Sequence, residues 1–209
     1  MIRSRPILSA LVAVVLTLGL AAPPSWAQGQ PSTQAEIRTM LEQRDQQIKS
    51  ILSGSSSYSQ EQRDRLKELI NGVLDFRAMA QTALGPHWDT LGTDRRDRFV
   101  DVFRDVVRAQ SMGDLDVYNS KVTFDQISVQ GDSARVRTTT EYQGTRTPVV
   151  YILEREEEDG WKAGDIIVDG VSTAEGYARS FQSVMRKRGF DALMTALERK
   201  RKQTASTEG

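Results

Sequence analysis

The spacing of apolar residues changes twice along the chain, from a helical period to a strand period and back. Helical spacing is clearest between Thr93 and about Met112, where one apolar face recurs among charged neighbours. That face carries Phe99, Val102, Phe103, Val106 and Val107. The same period predicts helices over Thr33–Leu52, after Ser59, over Asp75–Leu84, over Ser172–Arg188 and over Phe190–Lys202.

Capping signatures set the predicted ends of these helices. Thr33, Ser59 and Ser172 each have Glu or Gln three positions later, the pattern of a capping box. Thr93 is the predicted N-cap of its helix, and Gly85 with the following proline ends the helix before it.

Between Gly113 and Gly170 the apolar positions follow the period of two that is typical of strands. The first strand, from Val122 to Val129, loses its alternation near Asp125, which predicts a bulge there. Asp159-Gly160 predicts a tight hairpin between the last two strands. The other three predicted strands are Ala134–Tyr142, Arg146–Glu156 and Gly160–Gly170. Four consecutive strands predict an antiparallel meander.

The order of helices, strands and helices predicts an α+β fold. We expect a curled antiparallel sheet of about four strands, with the N-terminal and C-terminal helices packed over one face. No internal repeat or linker divides the chain, so residues 28–203 are predicted to form one domain, and residues 204–209 a disordered tail.

The N-terminus has the features of a secretory signal peptide. Arg3 and Arg5 precede an apolar segment, Ile7–Ala22, that is short for a membrane span, and prolines and small residues follow it up to Ala27. We predict cleavage after Ala27 rather than an uncleaved anchor. In a Gram-negative cell the mature protein is then expected in the periplasm.

Composition excludes several classes of function. Loss of residues 1–27 removes two of the 28 basic residues and none of the 28 acidic ones, which leaves a net charge of −2. That balance argues against nucleic acid as a partner. The absence of cysteine excludes a lipoprotein anchor, disulfides and thiolate catalysis.

No sequence motif for catalysis or for a metal site is complete. His87 is the only histidine, so a histidine-pair zinc motif cannot form. The segment Ile166–Ala174 is similar to a nucleophile elbow, but no histidine follows Ser172 to act as its base, and N-capping explains that serine better. One catalytic alternative stays open, with Asp165 or Asp169 acting beside Tyr177 as acid or base.

Three segments together resemble the MlaC, or toluene-tolerance, family of periplasmic phospholipid-binding proteins. They are Met79–Val107, Asp165–Met185 and Gly189–Lys200. The residues that carry the resemblance are Ala83, Leu84, Gly85, Trp88, Phe99, Phe103, the turn Gly170–Ser172, Tyr177, Arg179, Phe181, Asp191, Leu193 and Leu197. The sequence departs from the family in the polar run between Gly113 and Ser120.

The resemblance implies a cone-like fold, related to nuclear transport factor, around an apolar cavity for acyl chains. It implies a soluble phospholipid carrier of an ABC-type lipid transport system, with no cofactor other than its lipid cargo and no catalysis. The implied partners are an inner-membrane ABC transporter complex with an MCE-domain subunit and an outer-membrane lipoprotein–porin complex. Such a system maintains the lipid asymmetry of the outer membrane.

Physical chemistry supports an apolar cavity as a functional site, because each buried methylene group is worth about 0.8 kcal/mol. The chain has more apolar positions predicted to point inward than one sheet needs. Our candidate lipid-binding residues are Phe76, Met79, Leu84, Phe99, Phe103, Val106, Val149, Tyr151, Leu153, Ile167, Tyr177, Phe181, Val184 and Met185. Sequence alone does not divide this set into cavity wall and core. An envelope adaptor with a filled core is therefore a second hypothesis.

Overall fold

The computed structural model of the chain describes residues 30–54 and 57–207, and the predicted signal peptide lies outside the described residues. The fold is α+β, as predicted, and its elements follow the predicted order. The helices are α1 (Gln30–Leu52), α2 (Gln60–Asn71), α3 (Phe76–Leu84), α4 (Thr93–Ser111), α5 (Thr173–Arg188) and α6 (Phe190–Thr207). The strands are β1 (Lys121–Gln130), β2 (Ser133–Tyr142), β3 (Thr145–Glu156), β4 (Gly160–Val168) and β5 (Val171–Ser172).

The strands form one antiparallel meander in the order β1-β2-β3-β4-β5. The predicted bulge is confirmed, because the pairing of β1 with β2 shifts between Phe124 and Gln126. The hairpin between β3 and β4 is also confirmed, and Gly160 adopts a φ of 69° at its turn, a value that favours glycine. The two-residue strand β5 was not predicted, since so short a segment has no period to detect.

Two of the predicted caps are confirmed and two are wrong. Ser59 forms the complete capping box with Gln62, and the Ser172 hydroxyl accepts from the Glu175 backbone. Thr33 lies inside α1, which begins at Gln30, because the residues before it also take helical geometry. Thr93 is the first residue of α4, and Gly92 precedes it without a side-chain cap. The last helix, α6, continues to Thr207, beyond its predicted end at Lys202.

The described part of the domain has two main apolar interiors. One, here called the helical cluster, lies among α3, α4, α5 and α6 and contains the stacked rings of Phe99 and Phe103. The other, here called the sheet cluster, lies between α1 and the strands and contains Ile37, Val136 and Leu153. A smaller group of apolar residues packs α1 against α2.

The helical layer meets the sheet at β4, through α3 and α5. Gly164 of β4 lies at this contact, where a Cβ atom would be 3.4 Å from the Ala78 methyl of α3. Helix α1, in contrast, packs toward β1 and the 3-10 turn Asp116–Asn119. The space between α1 and the middle of the sheet is therefore not filled by the helical layer.

Candidate functional site

A cavity of about 800 Å³ lies between α1 and the inner face of the sheet, the face that carries Val136 and Tyr151. The C-terminal end of α2, the 3-10 turn Asp116–Asn119 and one side of α4 complete its wall. This volume is in the upper part of the range for small-molecule sites, roughly 300 to 1,000 Å³.

The strands supply the sheet side of the wall by their alternation. Each second residue of a strand points to the same face, so the inner face collects one set of positions from every strand. Direct pairing of Thr138 with Val149 and of Tyr151 with Ile166 aligns these positions across β2, β3 and β4. The strand residues on the wall are Val122, Phe124, Thr138, Thr140, Tyr142, Thr145, Thr147, Val149, Tyr151, Ile166 and Val168.

Three threonines on the wall contribute apolar surface in spite of their hydroxyl groups. Thr138 donates to the Val149 carbonyl at 3.1 Å and Thr140 donates to the Thr147 carbonyl at 3.2 Å. Thr173, beside β4, donates to the Ile166 carbonyl at 2.7 Å. Because the backbone already satisfies these hydroxyls, a hydrocarbon guest can cover the threonines without leaving them unpaired.

Helix α1 supplies the opposite side of the cavity with a stripe that has two charged residues at its centre. Its wall residues are Leu41, Arg44, Asp45 and Ile48, at the spacing of one helical face. The Arg44 guanidinium donates to the Leu69 carbonyl of α2 at 2.9 Å, and burial lowers its pKa. The neighbouring Gly72 leaves room for this arginine, since a side chain there would lie 2.9 Å from it.

The exposed edge of the cavity defines its mouth. Val117 and Val168, both on the wall, are 40% and 42% exposed, and Val171, paired with Val168, is 56% exposed. The turn between β2 and β3 adds the exposed wall residues Gln143 and Thr145. The mouth therefore lies between the 3-10 turn, the β2–β3 turn and the end of β4.

Two tyrosines extend into the interior from opposite sides. Tyr118, from the 3-10 turn, donates to the Ser111 carbonyl at 3.2 Å. Burial is the main cause that raises the pKa of Tyr118 to about 12, and the nearby Tyr151 is the second cause. Burial is the main cause that raises the pKa of Tyr151, and the nearby Asp45 carboxylate is the second cause. Tyr151 is half-buried, and part of its surface faces the cavity. Both phenols are therefore neutral at physiological pH.

Only part of the predicted site lies on this wall. Met79, Val149 and Tyr151 line the cavity, as predicted from their inward direction. The other predicted residues of α3, α4 and α5 point inward but toward the helical cluster, because the helices face one another rather than the sheet. These residues are Phe76, Leu84, Phe99, Phe103, Val106, Tyr177, Phe181, Val184 and Met185. Leu153 is buried in the sheet cluster, and Ile167 lies on the opposite face of β4 from Ile166.

The wall residues that were not predicted are mostly polar or lie on α1. Thr138, Thr140 and Tyr142 follow the inward phase of β2, so their alternation with Arg135 and Arg137 was a usable signal. Polar residues in an inward phase indicate a space rather than a packed core. The run between Gly113 and Ser120, in which the sequence departs from the family, supplies Val117, Tyr118 and Ser120 to the wall.

The residues of the catalytic alternative do not meet at the cavity. Asp165 accepts a hydrogen bond from the Ala174 backbone at 3.0 Å, and Asp169 is exposed. Tyr177 lies at the edge of the helical cluster, where its hydroxyl donates to the Gln110 side chain at 2.6 Å. Among the described residues, no group of three His, Asp or Glu side chains is arranged to hold a metal ion.

The role of Ser172 as an N-cap gives a first testable prediction. Its hydroxyl accepts from the Glu175 backbone at 3.0 Å, so Ser172→Ala is expected to lower the free energy of unfolding by about 1 kcal/mol. Ser172→Asn, which restores a capping acceptor, is expected to retain most of that stability. Urea unfolding of the three proteins measures the difference, and equal stability of all three would contradict the capping role.

The chain is similar to proteins of one known family. Residues 33–199 match the family described as MlaC protein. A solved structure of a phospholipid-binding protein from Ralstonia solanacearum, determined in complex with a phospholipid, is similar to this chain with a TM-score of 0.66. The two are 22% identical over 83% of this chain and 98% of that one, so the likeness shows the fold. A search of curated proteins finds no match. In the described ranges no helix has the length and apolar character to span a membrane.

Proposed function

This chain belongs to the MlaC family, and from that premise and the cavity we propose that it is a phospholipid carrier that holds acyl chains between α1 and the sheet. The observation that carries the proposal is the apolar cavity of about 800 Å³, open at one side, with three wall threonines whose hydroxyls are already bonded to backbone carbonyls. The similar protein from Ralstonia solanacearum, solved with a phospholipid, supports the same class of ligand.

The energetics favour hydrocarbon as the guest. A methylene group occupies about as much volume as a water molecule, roughly 30 Å³, so a cavity of 800 Å³ accepts on the order of 25 of them. That is most of the hydrocarbon of a diacyl phospholipid. At about 0.8 kcal/mol for each methylene group, burial is worth on the order of 20 kcal/mol before the costs of binding. Such a gain can offset removal of a lipid from a membrane.

The head group is proposed to stay at the mouth, in contact with water. Burial of a phosphate without paired cations costs more than it gains. Of the two charged wall residues at the centre of α1, Arg44 already donates to the Leu69 carbonyl at 2.9 Å, and Asp45 is bonded to Lys49 at 2.7 Å and would repel a phosphate. The apolar mouth residues Val117, Val168 and Val171 then lie against the first methylene groups of the chains.

A carrier role places this protein, in our proposal, between two membranes. We propose that a signal peptide cleaved after Ala27 directs it to the periplasm. There it exchanges phospholipid with an inner-membrane ABC transporter complex containing an MCE-domain subunit and with an outer-membrane lipoprotein–porin complex. Since its cavity needs only to hold and release hydrocarbon, we propose no catalytic step. The adaptor hypothesis is disfavoured, because it required a filled interior.

Bound lipid in the purified protein tests the proposal. Native mass spectrometry of gently purified protein is expected to show the mass of a diacyl phospholipid above that of the polypeptide, and lipid extraction should recover it in a ratio near one per chain. The hydrocarbon burial estimated above predicts that the lipid survives dilution and gel filtration. A polypeptide mass without any added lipid, in protein never exposed to detergent, would contradict the proposal.

A further inference from the structure

A second depression in the surface, here called the basic groove, lies where the ends of three helices meet. It has a volume of about 520 Å³, and its wall comes from the first two turns of α2, the C-terminal end of α4 and the C-terminal part of α6. None of its wall residues lines the lipid cavity. The groove is therefore a separate feature, large enough for a small molecule or a lipid head group.

The charged residues in the wall of the groove are all basic. Arg63 and Lys67 come from α2 and Lys200 comes from α6, and among the described residues the wall contains no Asp or Glu. On α6, the exposed residues Arg199 and Lys202 flank Lys200 and add positive charge beside the groove. Because the predicted mature chain has more acidic than basic residues, this part of the surface is a local concentration of positive charge.

The acidic residues closest to the groove in the sequence lie outside its wall. On α2, Asp64 accepts a hydrogen bond from the Gln60 side chain at 3.0 Å, and Glu61 is exposed. Asp114, which follows the end of α4, is also exposed. These carboxylates reduce the positive potential around the groove, but a ligand inside it contacts the bases and not the acids.

The end of α4 gives the groove an apolar side. Ala109 and Met112 line it, and the backbone N–H groups of Met112 and Gly113 donate to the carbonyls of Ala109 and Gln110 at 3.3 and 3.2 Å. These bonds help to satisfy the last carbonyls of the helix, which otherwise carry partial negative charge. Bases beside apolar surface suit an anion attached to hydrocarbon better than they suit a free inorganic ion.

The basic groove and the mouth of the cavity are neighbours on the surface. Gly113 lines the groove and Val117 lies at the mouth, and the four residues of chain between their positions span at most about 14 Å. Only the last turn of α4 separates the two spaces there, since Ser111 lines the cavity and Met112 lines the groove. A bilayer in contact with the groove therefore also lies near the mouth, where Val117 is exposed.

We propose that the basic groove binds the phosphate head group of an anionic phospholipid in a bilayer, and that this contact docks the carrier on the membrane. Arg63 and Lys200 are the principal contacts, because they reach the groove from two different helices. The inference builds on the proposed function, since a phospholipid carrier approaches the bilayers between which it moves. The lipid bound in the groove stays in the bilayer and is distinct from the lipid carried in the cavity.

Sedimentation with lipid vesicles tests this docking. The purified protein is mixed with vesicles of phosphatidylcholine alone, or with vesicles of phosphatidylcholine and phosphatidylglycerol in equal parts. Binding is expected to be stronger to the anionic vesicles and to weaken as salt is added, because salt screens exposed charges. In the double variant Arg63→Gln with Lys200→Gln, affinity for the anionic vesicles is expected to fall about thirtyfold, since each basic residue near an anionic surface contributes about fivefold.

Lys187→Gln with Arg188→Gln is the matched control, because it removes the same charge from the exposed end of α5. These positions lie beyond the start of α6, and Phe190 and Lys200 are about 15 Å apart along that helix. Affinity of the control for anionic vesicles is expected to stay within about twofold of the wild-type value, because charges at that distance are screened. An equal loss in the two double variants would reduce the effect to net charge and overturn the inference.

The lipid content of the cavity distinguishes this inference from the proposed function. Native mass spectrometry is expected to show the same bound lipid in both double variants as in the wild type, because the groove and the cavity share no wall residue. Protein that holds lipid but does not prefer anionic vesicles would overturn the docking site alone, as would protein that binds a hexaglutamate peptide and not the vesicles. Protein that binds anionic vesicles but holds no lipid would contradict the proposed function instead.

Discussion

Val149→Trp is expected to remove most of the bound lipid while the protein stays folded. Val149 is on the cavity wall at the middle of β3, between Thr138 and Val168 of the adjoining strands. An indole ring there excludes about three methylene groups of the guest, worth about 2.4 kcal/mol at about 0.8 kcal/mol each. The dissociation constant for phospholipid is then expected to rise about fiftyfold. Lipid per chain after gel filtration, measured by native mass spectrometry, reports the loss.

The next residue of β3 provides the matched control. Val150 points to the opposite face of the strand and does not line the cavity, so Val150→Trp adds the same ring outside the site. Lipid content of that variant is expected to equal that of the wild type. Equal lipid content in Val149→Trp and Val150→Trp would show that the guest does not occupy the sheet side of the cavity.

Phe103→Ala is expected to have the opposite profile, with a large loss of stability and little change in lipid content. Phe103 is fully buried and stacks on Phe99 at a centroid distance of 5.7 Å. It also meets Tyr177 and Phe181 edge to face, at 5.0 and 5.9 Å. Truncation of such a core ring costs about 3 to 5 kcal/mol. Urea unfolding of lipid-free protein measures this loss.

Phe103→Leu serves as the control, because it fills most of the volume and should cost considerably less than alanine. Lipid content is expected to stay near the wild-type value in both variants at temperatures where they remain folded. A variant of normal stability that has lost its lipid would contradict this assignment and place Phe103 on the cavity wall.

The order and type of the elements could be predicted from the sequence because each has a clear local signal. The period of apolar residues identified the long helices and the four main strands, and the loss of alternation at Asp125 located the bulge. Exact helix starts were harder, since Thr33 and Thr93 have the residues of a cap without its geometry. Whether a hydroxyl caps a helix depends on the backbone of the preceding residues, which propensity does not determine.

The division between core and cavity could not be predicted. The period of apolar residues shows to which side of its element a residue points, but not how far away the facing element lies. Phe99 and Val149 both point inward, yet Phe99 meets other aromatic rings and Val149 lies on the cavity wall. That difference depends on how α1 is placed over the sheet, a tertiary property. The inward threonines of β2 were a local sign that this face is not packed by apolar side chains alone.

The helical cluster and the cavity wall share Leu74, Met79 and Val107, and otherwise they are built from different residues. Substitutions on the cavity wall can therefore change the preferred ligand with little loss of folding stability. In an organism whose fatty acids change in length or branching, the wall threonines and valines can be replaced one at a time. The helical cluster meanwhile keeps the protein folded. For the same reason, the inner face of the sheet is a practical starting point for engineering carriers of other hydrophobic compounds.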